Sequence, residues 1–297
     1  MRRASATLLT GRRPAASVAG MRFGLFGINF GACADPEVQR RVVLAAEEVG
    51  FESVWTGEHV ALPIEGNPVA TPAETPFLDS VVALTRAATL TRRLRLGTGI
   101  LVLPHHNPIL VAKTLASLDV LSGGRVIAGF AAGYAEPEFR ALGVAFDRRG
   151  AITDEYLRAI RSLWTDAVPA FEGRHARFAG IRFEPKPVQR PHPPIVIGGT
   201  APPALRRAAR EGDGWYGFAL TVEKTAPIVA ELMRLRRDLG RRDAPFEISL
   251  TTFEPLTPEV VAAAEAAGIH RLIVFPLVPA AALESTVREF GARFILA

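Results

Sequence analysis

Short apolar segments typical of β-strands alternate with amphipathic segments typical of helices, and this unit occurs eight times from Met21 to the C-terminus. The first unit shows the pattern clearly. Residues 23–29 read as a strand, Asp35-Pro36 supplies an N-cap and a first helical residue, and Gly50 ends the helix. Such alternation predicts a parallel sheet, and eight units in a chain of 297 residues predict a closed (β/α)8 TIM barrel.

The eight predicted strands cover residues 23–29, 53–56, 94–102, 125–130, 195–197, 214–218, 246–250 and 272–275, with a small hairpin insertion near 171–184. An open doubly wound sheet is the alternative architecture, but it usually carries a glycine-rich phosphate loop after its first strand. The segment at that place reads GINFGACADP, and it contains neither G-x-G-x-x-G nor G-x-x-x-x-G-K-[ST].

The net charge of +5 does not indicate a nucleic-acid-binding protein, because it is concentrated at the N-terminus. Residues 1–20 contain four arginines and no acid, which leaves the remainder with a net charge of +1. This leader resembles an organelle transit peptide, but we expect a disordered extension or a start codon assigned too early, with Met21 as the true start. Residues 21–297 are expected to form one domain located in the cytoplasm.

The single cysteine, Cys33, excludes an internal disulfide and zinc sites built on paired cysteines. No apolar run approaches the roughly 18 residues that a membrane-spanning helix needs. We therefore expect a protein that acts on a small-molecule substrate and has no membrane or nucleic-acid partner.

Catalytic residues of such barrels follow the carboxyl ends of the strands, and titratable residues occur there in this chain. Glu58 and His59 follow the second predicted strand, and His105-His106 follows the third. His59 is a candidate for proton transfer because imidazole titrates near neutral pH, although His59 and Glu58 in a purely structural role would hydrogen-bond the loop instead. Adjacent histidines on an extended segment point to opposite faces, so we expect no metal site.

Glycines mark two further strand ends. Gly198, Gly199 and Thr200 lie between the fifth predicted strand and a helix, where backbone N–H groups bind anions and glycines let a ligand approach closely. A tight turn without a ligand is the alternative explanation. Residues 129–133 (GFAAG) after the fourth strand would line another side of the same barrel mouth, as a large phosphorylated cofactor requires.

Four ordered segments carry a resemblance to a known family: FESVWTGEHVALP, RLRLGTGILVLPHHNPILVAKTLASLDVLSGGR, GYAEPEFRALGVAFDRRGAITDEYLRAIRSLWTD and FEPKPVQRPHPPIVIGGTAPPALRRAAREGDGW. The chain resembles the bacterial luciferase-like flavin and deazaflavin oxidoreductases, and most of all the branch that uses coenzyme F420. The resemblance extends from Met21 to about Trp215 and is weaker beyond it. It implies a TIM barrel of the bacterial luciferase-like type, in agreement with the count of strands and helices.

The resemblance also implies residue roles. A non-proline cis peptide that supports the cofactor ring matches Gly99-Ile100, with Val102 just beyond, and His59 matches a histidine near the reactive ring. Glu58 is the second catalytic residue that the resemblance implies, although relatives often have Asp there, which is one methylene shorter. The remaining cofactor-binding positions matched are Ala132, Gly133, Tyr134, Gly198, Gly199 and Thr200. Most relatives have an aromatic residue, usually Trp, at the position of Tyr134, whereas relatives that use sugar phosphates have Glu. The tyrosine therefore argues against a sugar phosphate substrate.

The function implied is hydride transfer between coenzyme F420 and a small organic substrate, with His59 exchanging the accompanying proton. A monooxygenase of the same superfamily that uses FMN is the nearest alternative, and a non-catalytic flavin-binding protein is another. An unrelated barrel lyase or isomerase is disfavoured, because Lys113, Lys186 and Lys224 do not follow predicted strands. Relatives are often dimers, so the resemblance allows a homodimer.

Overall fold

The computed structural model describes residues 20–65 and 71–296. Its strands are β1 (Arg22–Phe26), β2 (Ser53–Thr56), β3 (Arg95–Thr98), β4 (Leu101–Val102), β5 (Val126–Ala131), β6 (Phe171–Glu172), β7 (Arg177–Phe178), β8 (Ile195–Gly198), β9 (Gly214–Phe218), β10 (Glu247–Thr251) and β11 (Arg271–Val274). Its α-helices are α1 (Pro36–Val49), α2 (Ser80–Leu90), α3 (Pro108–Ser122), α4 (Glu136–Ala141), α5 (Arg149–Thr165), α6 (Pro202–Glu211), α7 (Val222–Asp238), α8 (Pro258–Ala266) and α9 (Ala280–Phe294). The leader expectation falls on residues 1–19, which lie outside the described residues.

Parallel pairing closes the main sheet into a barrel. The order is β3-β2-β1-β11-β10-β9-β8-β5-β4, and an additional pairing between β3 and β5 completes the ring. Because β3 and β4 are two pieces of one predicted strand, the described strands occupy eight positions. The (β/α)8 barrel predicted from the sequence is confirmed.

Local sequence signals position several helices as predicted. The Asp35 carboxylate accepts hydrogen bonds from the Glu37 and Val38 N–H groups at 2.9 Å, and Pro36 occupies the first helical position of α1. Gly50 then ends α1 with a φ of 91°, a left-handed conformation that glycine adopts without a steric cost. Asn107 caps α3 in the same way as Asp35 caps α1. Asp35 and Asn107 thereby fix the points at which α1 and α3 begin, and Gly50 fixes the point at which α1 ends.

Aromatic and aliphatic side chains fill the inside of the barrel. Trp55 and Tyr216 stack in its centre with ring centroids 5.6 Å apart, and Phe26, Ile127, Val196 and Ile273 surround them. Residues on the other face of the strands pack against the helices in a second, larger core. The interior is therefore solid, and only its two ends contact solvent.

Three details differ from the sequence-based prediction. The third predicted strand, 94–102, is interrupted at a non-proline cis peptide between Gly99 and Ile100, which separates β3 from β4. The apolar pattern predicts the second helix over residues 77–90, but the helix begins at Ser80, because the Asp79 side chain caps it. The short helix α4 was not predicted, since six residues are too few to show a hydrophobic period. The predicted hairpin is confirmed as the antiparallel pair β6–β7.

None of the described helices is both long enough and apolar enough to cross a membrane.

Candidate active site

The candidate residues chosen from the sequence lie in loops that leave the carboxyl ends of the strands. Closure of the barrel brings four of these strand ends into one mouth, namely those of β2, β4, β5 and β8. Glu58 and His59 follow β2, Val102 ends β4, residues 132–134 follow β5, and the turn 198–200 follows β8.

His59 is held by a carboxylate from a distant part of the chain. Its Nδ1 lies 2.9 Å from Oε2 of Glu138, on α4, and the two side chains are 12% and 3% exposed. Oε1 of Glu138 accepts hydrogen bonds from the N–H groups of Val60 and Ala61. An ionised carboxylate accepts only, so neutral His59 carries its proton on Nδ1 and presents Nε2 as a base.

Glu138 remains ionised in this arrangement. Burial raises the pKa of its carboxyl group, but the hydrogen bond and charge of His59 and the Ala61 N–H lower the pKa further, below its ordinary value. Among the described residues, none hydrogen-bonds Nε2 of His59. The pair can therefore exchange a proton with a bound molecule at Nε2.

Glu58 does not contact His59 through a hydrogen bond but holds β4. Its Oε2 accepts the Val102 N–H at 2.6 Å, and its Oε1 lies 2.8 Å from Nε2 of His106. Burial lowers the pKa of His106, but the hydrogen bond and charge of Glu58 outweigh burial and raise it above 6.5. Glu58 thus positions the strand segment just after the cis peptide, which differs from the catalytic role predicted for it.

Glycines let three strands approach Ile100 closely. A Cβ atom on Gly198 would lie 2.5 Å from Cδ1 of Ile100, and one on Gly129 would lie 2.0 Å from the Thr98 carbonyl oxygen. A Cβ on Gly99 would lie 3.2 Å from the Thr56 carbonyl oxygen. A side chain at Gly129 would collide with the backbone of β3, and one at Gly198 would collide with the Ile100 side chain, so these two glycines let β5 and β8 pack closely against this segment.

Gly133 continues this glycine-lined surface beyond β5. It has a φ of +82°, and an added Cβ would lie 2.5 Å from Val102 and 2.8 Å from Phe139. Its carbonyl oxygen accepts a hydrogen bond from Arg149 Nε. Ala132 and Gly133 are half-buried, whereas the Tyr134 side chain is exposed and its ring centroid lies 6.3 Å from that of His59. The structure therefore brings these predicted cofactor positions beside Val102 and His59.

The turn at Gly198, Gly199 and Thr200 leads directly into α6. Gly199 has a φ of +109°, and its carbonyl oxygen accepts a hydrogen bond from Trp215 Nε1. The first two residues of α6 are prolines, which have no N–H group, and Ala201 provides no side-chain cap. An anion at this helix terminus would be bound by the N–H groups of residues 199–201 and the Thr200 hydroxyl. Gly199 and Thr200 are exposed, as such a ligand site requires.

His105 and His106 have different environments. The ring of His105 packs edge-on against Phe139, with centroids 4.4 Å apart, and its two nitrogens have no hydrogen-bond partner among the described residues. Burial lowers the pKa of His105, which keeps the ring neutral. The prediction that these neighbours point apart agrees with the contacts, but the hydrogen bond of His106 to Glu58 was not predicted.

Two groups of residues at the mouth were missed as functional candidates. Glu138 follows the fourth predicted strand, but the 79 residues that separate it from His59 leave no local signal for their pairing. A set of phenylalanines after other strands was also missed, because isolated apolar loop residues are common in any sequence. Both sets are recognisable only after the barrel closes.

The fold and this arrangement at the carboxyl ends of the strands define a (β/α)8 barrel of the enzyme type. Residues 8–289 match the family described as luciferase-like monooxygenase, so the chain belongs to that family.

Relatives in this family differ in cofactor. An uncharacterized protein of Mycobacterium tuberculosis is 34% identical over 193 residues, which cover 62% of this chain and 68% of that protein. The F420-dependent glucose-6-phosphate dehydrogenase of Amycolatopsis mediterranei is 31% identical over 195 residues, 63% of this chain and 56% of that protein. The FMNH(2)-dependent dimethylsulfone monooxygenase of Pseudomonas putida is 38% identical over 129 residues, 42% of this chain and 35% of that protein.

Solved structures share the whole fold at low sequence identity. The monooxygenase RslO1 of Streptomyces bottropensis superposes with a TM-score of 0.74 and 24% identity, covering 93% of this chain and 99% of that chain. An F420-dependent secondary alcohol dehydrogenase gives a TM-score of 0.75 and 18% identity, covering 93% of this chain and 98% of that chain. The chain is thus a luciferase-like oxidoreductase of the flavin and deazaflavin class, and family membership does not decide between the two cofactors.

Proposed function

We propose that the protein transfers a hydride between coenzyme F420 and a small organic substrate. The observation that carries the proposal is the juxtaposition of a glycine-lined cis-peptide segment, Gly99-Ile100, with the His59–Glu138 pair at one barrel mouth. The first offers a flat, close-approach surface for a planar ring, and the second offers a proton donor or acceptor beside it.

The residues present suit a large anionic cofactor. The Gly198–Gly199–Thr200 turn binds its phosphate through backbone N–H groups, and Arg140, Arg148 and Arg149 lie in the segment after β5. Val102, Ala132, Gly133 and Tyr134 contact the ring or its side chain in this proposal. When bound, coenzyme F420 supplies hydride transfer, which moves two electrons in one step.

His59 carries the proton chemistry in the proposal. Glu138 holds the proton on Nδ1 of His59, so Nε2 of the neutral imidazole accepts a proton from a substrate alcohol. In the reverse direction, the charged imidazole donates a proton from Nε2 to a substrate carbonyl. Glu58 keeps Val102, and with it the cis-peptide segment, in place. The barrel thereby supplies proximity and orientation, which make the transfer between bound partners fast.

The share of this chain that matches each relative supports F420 over FMN. The match to the F420-dependent dehydrogenase covers 63% of this chain, whereas the match to the FMNH(2)-dependent monooxygenase covers 42%. The second relative still supports an alternative function, an FMN-dependent monooxygenase, because its shorter match has the higher identity.

Replacement of His59 by alanine tests the proton role. We expect His59→Ala to lower F420-linked turnover by about a hundredfold or more, because general acid–base catalysis contributes on that scale. The dissociation constant for F420 should stay within about a factor of two of the native value, since the proposed role of His59 is in proton transfer and not in cofactor binding. His175→Ala, in the hairpin insertion, is the matched control and should change neither quantity. A loss of F420 binding with normal turnover of the bound fraction would contradict the catalytic role.

A further inference from the structure

The mouth of the barrel has two halves with different chemistry. The positions proposed for the cofactor follow β4, β5 and β8, which are consecutive around the ring. The remaining arc consists of β9, β10, β11 and β1, and β2 with His59 lies between that arc and the cis-peptide segment. The loops of this second arc are free of any role in the proposed cofactor site.

Phenylalanine rings cover the second half of the mouth. We call these six side chains the aromatic surface: Phe26, Phe30, Phe77, Phe218, Phe253 and Phe275. Neighbouring rings contact one another at centroid distances between 4.6 Å, for Phe30 and Phe77, and 6.2 Å, for Phe253 and Phe275. The contacts are continuous around the arc, so the rings form one surface.

The aromatic surface reaches the proton-transfer residue and also faces solvent. The ring of Phe77 contacts that of His59 edge-on, with centroids 5.3 Å apart. Phe218 and Phe253 are 44% and 51% exposed, and a contiguous exposed apolar surface is typical of a binding site. A bound apolar molecule would cover these rings while it touches His59.

The loops that carry the aromatic surface lack positively charged side chains, which is unfavourable for binding an anion. Residues 27–35, 219–221, 252–257 and 275–279, which follow the four strands of the arc, contain no Lys or Arg, and neither do residues 57–79 after β2. Their acids include Glu254, which accepts the Val222 N–H at 2.8 Å. By contrast, the basic side chains near the mouth follow β5, on the cofactor half. A phosphate or carboxylate on the substrate would lie among apolar rings and carboxylates without a counterion.

We infer that the substrate is an uncharged molecule with a flat apolar body, such as an aromatic or alicyclic ketone or alcohol, that packs on the aromatic surface. This inference rests on the proposed function for the assignment of the cofactor half. The apolar body of the substrate packs on the phenylalanines, and its single polar group is directed to Nε2 of His59. Sugar phosphates and carboxylates are excluded as substrates.

Binding of matched probes to the full-length protein tests this inference. Isothermal titration calorimetry would compare 2-acetylnaphthalene, 2-naphthoate and glucose 6-phosphate, with and without F420 or FMN present. We expect the neutral ketone to bind at least about tenfold more tightly than the naphthoate, because burying an unpaired charge is costly, and the sugar phosphate not to bind. Equal or tighter binding of either anion would overturn the inference.

Two variants locate the binding surface. Phe218→Ser and Phe253→Ser should each weaken 2-acetylnaphthalene binding by about tenfold, the effect expected for losing one buried aromatic contact. Leu121→Ser removes a side chain that is 73% exposed at the C-terminal end of α3, on the opposite end of the barrel, and should have no effect. Unchanged binding in both phenylalanine variants would overturn the inference.

The same titrations separate this inference from the proposed function. Cofactor affinity is measured directly in each variant, and it should be the same as in the native protein. A protein that binds the ketone but neither cofactor would contradict the proposed function alone. A protein that binds F420 but not the ketone would contradict the substrate class alone.

Discussion

Glu58 and Glu138 are both buried carboxylates at the barrel mouth, but they hold different groups. Glu138 pairs with His59, whereas Glu58 pairs with His106 and the Val102 N–H. The sequence placed Glu58 next to His59 and therefore suggested that these two act together. In the structure the catalytic candidate is oriented by the carboxylate that is far away in the chain.

Replacing Glu138 by glutamine should impair catalysis without unfolding the protein. The amide has one acceptor where the carboxylate uses two, so either His59 or the N–H groups of Val60 and Ala61 lose their partner. We expect turnover to fall by about tenfold or more. The loss should appear in kcat and not in KM, because Glu138 orients the ring that exchanges the proton.

Steady-state kinetics would measure kcat and KM separately. Glu136→Gln on the same helix, at a side chain that is 59% exposed, is the control. If Glu138→Gln reduced stability but left kcat unchanged, Glu138 would have a structural role only.

The pair of His106 and Glu58 makes a pH-dependent contribution to stability. The pKa of His106 is raised in the folded protein, so the contribution is fully present below the unfolded pKa of about 6.5 and is lost as pH rises through the folded pKa. His106→Gln should therefore destabilise the protein more at about pH 6 than at about pH 9.

Urea unfolding at the two pH values would measure the difference in free energy of unfolding between native protein and variant. An equal loss for His106→Gln at both values would show that the ion pair is not formed.

The element that most defines the site is the interrupted strand β3–β4 with the glycines around it. Gly133→Ala should destabilise the protein by about 2 kcal/mol or more, through a positive φ that alanine rarely adopts and through contacts with Val102 and Phe139. Gly143→Ala is the matched control, since Gly143 also has a positive φ, +69°, but open space around its Cβ position.

Thermal unfolding and F420 titration of both variants would separate the two causes. We expect Gly143→Ala to lose stability through backbone strain alone and to keep its F420 affinity. Gly133→Ala should lose both, because Val102 is displaced. Equal behaviour of the two variants would show that Gly133 has no packing role at the site.

The sequence predicted most elements because their signals are local. Asp35 and Asn107 cap helices within three residues, and the alternation of strands and helices is visible along the chain. The helix α4 has no such signal. The pairing of Glu138 with His59, and the contacts among the phenylalanines, depend on closure of the barrel and have no sequence pattern. The homodimer allowed by the resemblance stays a prediction.

The two ends of the barrel have different roles in our proposal: buried ion pairs at one end stabilise the fold, and the other end binds the cofactor and substrate. The end opposite the mouth is closed by Arg271, whose side chain is fully buried. Its guanidinium hydrogen-bonds both carboxylate oxygens of Glu52 at 2.8 and 2.9 Å, Glu247 at 3.0 Å and Ser249 at 2.9 Å. These contacts join β10 and β11 to the segment preceding β2.

Arg271→Met should destabilise the protein by about 3 kcal/mol, because the buried guanidinium is lost and the partly exposed carboxylates of Glu52 and Glu247 keep only Arg95 and Arg22 as partners. F420 affinity of the folded fraction should not change, since the mutation is at the opposite end of the barrel. Arg288→Met, which removes an exposed ion pair with Glu48, should have little effect.

Urea unfolding and cofactor titration of the two variants would check this separation. A large loss of F420 affinity in folded Arg271→Met protein would contradict it.

We propose that the mouth binds the deazaflavin cofactor in preference to the flavin. A paired fluorescence titration of the purified protein with coenzyme F420 and with FMN tests this preference. We predict tight binding of F420 and at least about tenfold weaker binding of FMN. Tighter binding of FMN would contradict the claim and support the FMN-dependent monooxygenase instead, and binding of neither would contradict both.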